Sequence, residues 1–111
     1  MSAIHWFEIP VSDIERACKF YGTLLNSEIS FMDFTETMGT LVAMLPNRGG
    51  AGGALVQGEP VGYVPSQQGT LVYLVVDGDL DDVLSKVEKA GGQILLPKTS
   101  LGEADPAIYS L

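Results

Sequence analysis

Apolar positions along the chain follow two alternating periods, and their order predicts a mixture of strands and helices. Residues 4–11 form a short aromatic and β-branched run typical of a strand, and apolar residues then recur at helical spacing until about Asn26. Three further strand-like runs follow, at about 28–34, 40–45 and 53–57. The first half of the chain is therefore predicted to be β-α-β-β-β.

The same order begins again in the second half. Residues 70–76 form a continuous apolar run, and a helical period with acidic residues in its first turn covers 79–90 before Gly91-Gly92 ends it. A strand is expected at 93–96, and 104–111 has room for one more, so this half is one strand short. Because an unpaired sheet edge is a template for pairing, self-association is expected.

Length and charge narrow the class of protein. A chain of 111 residues, 46% hydrophobic and 18% charged, is expected to fold as one domain over 1–111, with module one at about 1–58 and module two at about 69–111. Its 14 acidic and 6 basic side chains give a formal net charge of −8, so nucleic acid and anionic membranes are poor partners. Without a signal-like start or a long apolar run, a cytoplasmic location is expected.

Both halves resemble the signatures of a known family. The opening run Trp6-Phe7-Glu8-Ile9-Pro10-Val11, followed by Asp13, Arg16-Ala17 and Phe20-Tyr21, is similar to the first module of the vicinal oxygen chelate superfamily. This superfamily includes glyoxalase I, the bleomycin-resistance proteins and the extradiol dioxygenases. The run at 72–77 with Leu84, Val87 and Ala90-Gly91-Gly92 resembles its second module. The resemblance implies an α+β fold of paired β-α-β-β-β modules, forming a curled mixed sheet around a cavity, usually in a homodimer.

The resemblance also implies where a metal would bind, because the enzymes of the family hold a divalent ion with His, Glu or Gln on the first and last strands of each module. The first-strand places fall on Trp6 and Leu71, whose side chains cannot ligate a metal. The last-strand place near Leu55 or Gln57 offers at most a neutral amide, and the closing strand with the final Glu is not found after Glu103. We therefore expect neither a metal nor another cofactor.

Three residues are the candidates for binding a ligand. Side chains alternate across a strand, so Trp6 and Glu8 share a face, and the resemblance turns that face toward the cavity. Glu8 would act there as a general base or as an anchor for a cationic or hydroxylated ligand, or else be a structural carboxylate bonded to a tyrosine or the backbone. Tyr73 shares a face with Leu71 and would either bond a ligand through its hydroxyl or pack in the core. Met32 and Met44 would add an apolar lining.

The remaining reactive residues predict no catalytic motif. His5 lies on the opposite face of its strand from Glu8, so the two cannot chelate one ion and His5 is expected to be structural or exposed. Cys18 stands between apolar helix positions and is predicted to be a buried thiol. The glycine-rich stretch 49–53 lacks the further residues of a phosphate-binding loop and is predicted to be a hairpin turn. The catalytic residues, if any, are not identified by the sequence.

The leading hypothesis is a metal-free member of the superfamily that binds a small apolar or aromatic molecule in a cavity lined by Trp6, Glu8 and Tyr73. The alternative is a metal-dependent lyase or dioxygenase of the glyoxalase or extradiol type. A third hypothesis is a structural homodimer whose cavity is filled by its own side chains.

Overall fold

The first half of the chain forms the predicted β-α-β-β-β unit. The computed structural model describes residues 3–47, 49–76 and 78–95, and the backbone of two short strands near the C-terminus. The elements in chain order are β1 (Trp6–Pro10), α1 (Ile14–Leu24), β2 (Phe31–Phe34), β3 (Thr40–Met44), β4 (Gly52–Gln57), a 3-10 turn (Glu59–Val61), α2 (Leu80–Val87), β5 (Thr99–Ser100) and β6 (Ile108–Tyr109). None of the helices among these residues is both long and apolar enough to span a membrane.

Strands β1 to β4 form one mixed sheet in the order β1-β4-β3-β2. The pair β1 and β4 is parallel, with Glu8 opposite Ala54, whereas β3 is antiparallel to both of its neighbours. The parallel pair requires a crossover, and α1 begins that crossover by leaving β1 and packing back on the sheet. The sheet is not closed, and the α+β fold class predicted from the sequence is confirmed.

Helix α1 begins after an aspartate that caps its N-terminus. Asp13 is the N-cap residue, and its side chain accepts the Arg16 N–H at 3.2 Å. The Gln57 amide oxygen at the end of β4 accepts the Ile14 N–H at 2.8 Å. Two of the free N–H groups of the first turn are thus satisfied, and the second bond joins the helix to the sheet.

The core lies between α1 and one face of the sheet. From the helix, Ile14, Ala17 and Cys18 are buried, and from the sheet side Ala43, Leu45 and Leu55 meet them. Cys18 is therefore the buried thiol that the sequence predicts, and burial raises the pKa of this thiol.

Two consecutive glycines allow aromatic rings to lie against both faces of β4. A Cβ atom at Gly53 would overlap the Phe7 ring on the helix side, and one at Gly52 would lie 2.9 Å from Trp6 Cζ3 on the other side. The glycine-rich stretch is thus partly turn, as predicted, and partly a strand where side chains from β1 need the space.

The second half differs from the prediction in its strands. Helix α2 begins after Asp79, whose side chain accepts the Asp81 N–H at 2.9 Å, and packs on α1. Residues 70–76, predicted as a strand, belong to neither sheet, and 93–95 are not a strand either. Leu96 lies outside the described residues, and among the residues that are described β5 and β6 pair with each other and not with the four-stranded sheet. An apolar run becomes a strand only beside another strand, and the first half supplies neighbours that the described second half does not.

Candidate functional site

The candidate site is the face of the sheet that α1 does not cover, which we call the open face. Strand alternation and register place on it Trp6, Glu8 and Pro10 from β1, Gly52, Ala54 and Val56 from β4, Thr40, Val42 and Met44 from β3, and Met32 and Phe34 from β2. Trp6, Met32 and Met44 are 42%, 48% and 48% exposed. Three large apolar side chains on one sheet face are thus half available to solvent.

Trp6 and Glu8 come together on this face, as the sequence predicts. The indole Nε1–H of Trp6 donates to Glu8 Oε2 at 3.4 Å, and the edge of its ring lies over Gly52. The short side chain of Ala54 lies opposite Glu8 on β4, and Met44 lies opposite Ala54 on β3. A carboxylate is therefore flanked by an aromatic ring and faces a strip of small and apolar residues.

Tyr63 completes this group and was not identified from the sequence. Its hydroxyl donates to Glu8 Oε1 at 2.8 Å, so the carboxylate is bonded to a tyrosine, one of the two interpretations open for Glu8. The bond raises the pKa of Tyr63, mainly because the Glu8 carboxylate accepts from the neutral phenol, with smaller contributions from burial and from the charge of Glu8.

A turn brings Tyr63 back to the sheet. Gly62 has φ of +104°, and the backbone of Tyr63 forms an antiparallel bridge with Gly58 directly after β4. The signal in the sequence is Gly58-Glu59-Pro60-Val61-Gly62, a short stretch whose glycine and proline residues favour a tight reversal. A chain reversal directly after β4 therefore returns Tyr63, the next aromatic residue, toward β4 and its neighbour β1.

Tyr73 lies elsewhere in the described structure. It is 57% exposed and lines an apolar groove of about 370 Å³ between α1, α2 and the segment 72–76. Ile9 and Tyr21 line the same groove, and both pack on the core beneath α1. Trp6 and Glu8 thus lie together on the open face, and Tyr73 of the same chain lies on the helix side of the sheet.

His5 is exposed and precedes β1 by one residue, and Leu71 is exposed as well. The two methionines expected in the lining, Met32 and Met44, both lie on the open face.

The side chains on the open face do not fit a divalent metal. Glu8 supplies the carboxylate, but the positions beside it on β4 are Gly52, Ala54 and Val56. Leu55 is in the core, and the Gln57 amide oxygen on the helix side already accepts the Ile14 N–H. In the part of the chain that the structure describes, no three His, Cys, Asp or Glu residues are grouped so that they could hold a metal ion. We therefore derive no chemical step through a metal.

These elements define a protein built on the β-α-β-β-β unit of the glyoxalase type, and comparison with known families agrees. The model of the Glyoxalase/Bleomycin resistance protein/Dioxygenase superfamily matches residues 3–104. The chain belongs to this superfamily, which confirms the resemblance of its two signatures.

Solved structures from two mobile metagenomes are similar to this chain. One, from V. Pseudocholerae, is 23% identical with a TM-score of 0.49, over 90% of this chain and 77% of that chain. The other, an integron cassette protein from V. Cholerae, is 20% identical with a TM-score of 0.48, over 99% of this chain and 86% of that chain. A search of curated proteins found no significant match.

Proposed function

We propose that this superfamily member binds a small, largely apolar or aromatic molecule on the open face without using a metal. The observation that supports the proposal is the half-exposed apolar surface of Trp6, Met44 and Met32, on three strands of the sheet face that also carries the Glu8 carboxylate. Apolar surface of this kind, placed beside a few oriented polar groups, is typical of a small-molecule site.

A homodimer is part of the proposal. The segment 70–76 carries exposed apolar side chains, including Leu71, Tyr73 and Val75, the last of which is 88% exposed. A second copy would remove such a segment from water and enclose the open face, which is otherwise shallow. Tyr73 would then join the ligand site from the partner chain, since its own chain places it on the other side of the sheet.

Calorimetric titration with 2-naphthylmethanol, in buffer containing EDTA, tests this proposal. We expect saturable binding that EDTA leaves unchanged, and about tenfold weaker binding in Trp6→Ala, because the ring supplies much of the apolar contact. Met38→Ala, which removes a 65% exposed side chain from a loop, is the matched control and should bind as the wild type does. Sedimentation of the same samples should give the mass of two 11.8 kDa chains.

Three results would contradict the proposal. They are no binding of the naphthalene probe, binding that requires an added divalent metal, and equal affinity in the wild type and Trp6→Ala. If sedimentation gives the mass of a monomer, the homodimer is contradicted. The titration then tests ligand binding on the open face by itself.

A further inference from the structure

The Glu8 carboxylate is oriented by two aromatic side chains but is not neutralised by them. Tyr63 Oη–H donates to Oε1 at 2.8 Å and Trp6 Nε1–H donates to Oε2 at 3.4 Å, so each oxygen has one uncharged donor. An ionised carboxylate has about four acceptor positions, which leaves at least one on each oxygen for another donor. Among the described residues, these two donors are the hydrogen-bond partners of the Glu8 side chain, and neither carries a positive charge.

The surroundings of Glu8 favour a positive group with an apolar body. The indole of Trp6 is 42% exposed, and a cation beside an aromatic face is attracted by the ring. Ala54, opposite Glu8 on β4, is fully buried, but beyond it, two strand spacings or about 10 Å from Glu8, the half-exposed Met44 offers a flexible apolar surface. The chain as a whole carries a net charge of −8, which favours the approach of cations over anions.

Given the binding function proposed above, we propose that the ligand is an organic ammonium ion with an aromatic or apolar body. Its N–H groups bind the free acceptor positions of Glu8 beside the Trp6 ring, and its body extends toward the half-exposed side chain of Met44. Tyr63 is a positioning residue, because it holds the carboxylate in this orientation and leaves the open side of each oxygen to the ligand. A carboxylate ligand of the same shape would be repelled by Glu8.

Two probes of one shape separate the charge from the apolar contact. Calorimetry compares 2-naphthylmethylammonium with 2-naphthylmethanol at pH 7 on the full chain. We expect the ammonium probe to bind about tenfold more tightly to the wild type, because it adds a charge-assisted hydrogen bond and a cation–π contact. In Glu8→Gln the two probes should bind with equal affinity, because the carboxylate that distinguishes them is absent.

The matched control is Glu36→Gln, which removes the same charge from an exposed residue in the turn after β2. It should keep the tenfold preference, because the preference comes from a local contact and not from the net charge. Tyr63→Phe keeps the ring and removes the donor, so we expect the preference to fall to about threefold as the carboxylate loses one fixed orientation. Circular dichroism of each variant establishes that it is folded.

The outcomes distinguish this inference from the binding function on which it rests. If the alcohol binds but the ammonium probe binds no more tightly, the ammonium site is overturned and the apolar binding surface stands. A preference that survives in Glu8→Gln, or that Glu36→Gln removes equally, also overturns it. If neither probe binds the wild type, both proposals fail.

Discussion

The two faces of one sheet differ in this protein in how far their large apolar side chains are exposed. On the helix side, Ala43 and Leu55 are fully buried beneath α1, and Phe7 packs on the same core. On the open face of the same strands, Met44 is 48% exposed and Trp6 is 42% exposed. Both faces carry apolar residues, so hydrophobicity alone does not distinguish the stabilising face from the face proposed to bind a ligand.

The difference between the faces is a difference in what covers them. Helix α1 is connected to β1 by a short segment, and its Ile14 N–H donates a hydrogen bond to the Gln57 side chain at the end of β4. The helix therefore covers one face of the sheet. The open face has instead the Trp6–Glu8–Tyr63 group, whose bonds lie at the surface. Both faces contribute to the folding free energy, since Ala54 and Val56 on the open face are buried as well. The open face differs in keeping the half-exposed surface of Trp6 and Met44, which a partner or ligand can bury.

The largest expected contrast is between Leu55→Ala and Met44→Ala. Leu55 is fully buried, so truncation leaves a cavity and should lower the free energy of unfolding by about 2–5 kcal/mol. Met44 is half in water, so its truncation should cost less than about 1 kcal/mol. Urea unfolding of both variants measures the difference, and equal losses would show that the open face is buried in the folded protein in solution.

A smaller contrast is expected between Gly53→Ala and Gly52→Ala. The new methyl at 53 would overlap Phe7, which is packed on the core, and should cost about 1–3 kcal/mol in thermal or urea unfolding. At 52 the methyl meets the outer edge of Trp6, which can move toward solvent, so the cost should be below about 1 kcal/mol. Because Trp6 is the one tryptophan of the chain, its fluorescence should shift in Gly52→Ala. An unchanged spectrum would contradict the contact with Gly52.

The smallest effect concerns two tyrosines, one on each side of the sheet. The pKa of Tyr21 is raised by burial, whereas the pKa of Tyr63 is raised first by its hydrogen bond to Glu8. Glu8→Gln should therefore lower the pKa of Tyr63 toward its ordinary value of 10.0 and leave that of Tyr21 raised. Absorbance at alkaline pH, taken as the difference between each protein and its Tyr63→Phe version, isolates the Tyr63 signal.

The raised pKa of Tyr63 makes the stability of the folded protein depend on pH. The folded protein holds the Tyr63 proton to a higher pH than the unfolded chain does, so the stability from this bond is fully present below the ordinary pKa and is lost as the pH rises through the folded value. If the pKa of Tyr63 is the same in the wild type and in Glu8→Gln, that result contradicts the hydrogen bond between Tyr63 and Glu8 in solution.

Much of the first half could be predicted because its signals are local. The helical spacing of Ile14, Ala17 and Cys18 gives the buried face of α1, and alternation in β1 puts Trp6 and Glu8 on one side. Tyr63 could not be placed from the same signals, because its role depends on a turn that returns it to a residue 55 positions earlier. The predicted strand at 70–76 was wrong for a related reason, since its composition fits a strand but strand pairing is not local.

The sequence by itself determined the family, the order β-α-β-β-β in the first half, the buried Cys18 and the shared face of Trp6 and Glu8, because periodicity and short motifs act over a few residues. The tertiary structure alone decided that α1 leaves one sheet face open, that Tyr63 rather than Tyr73 of the same chain bonds to Glu8, and that Gln57 is used at the helix start. These facts depend on which distant segments meet in space, and that depends on packing and strand pairing across the whole fold.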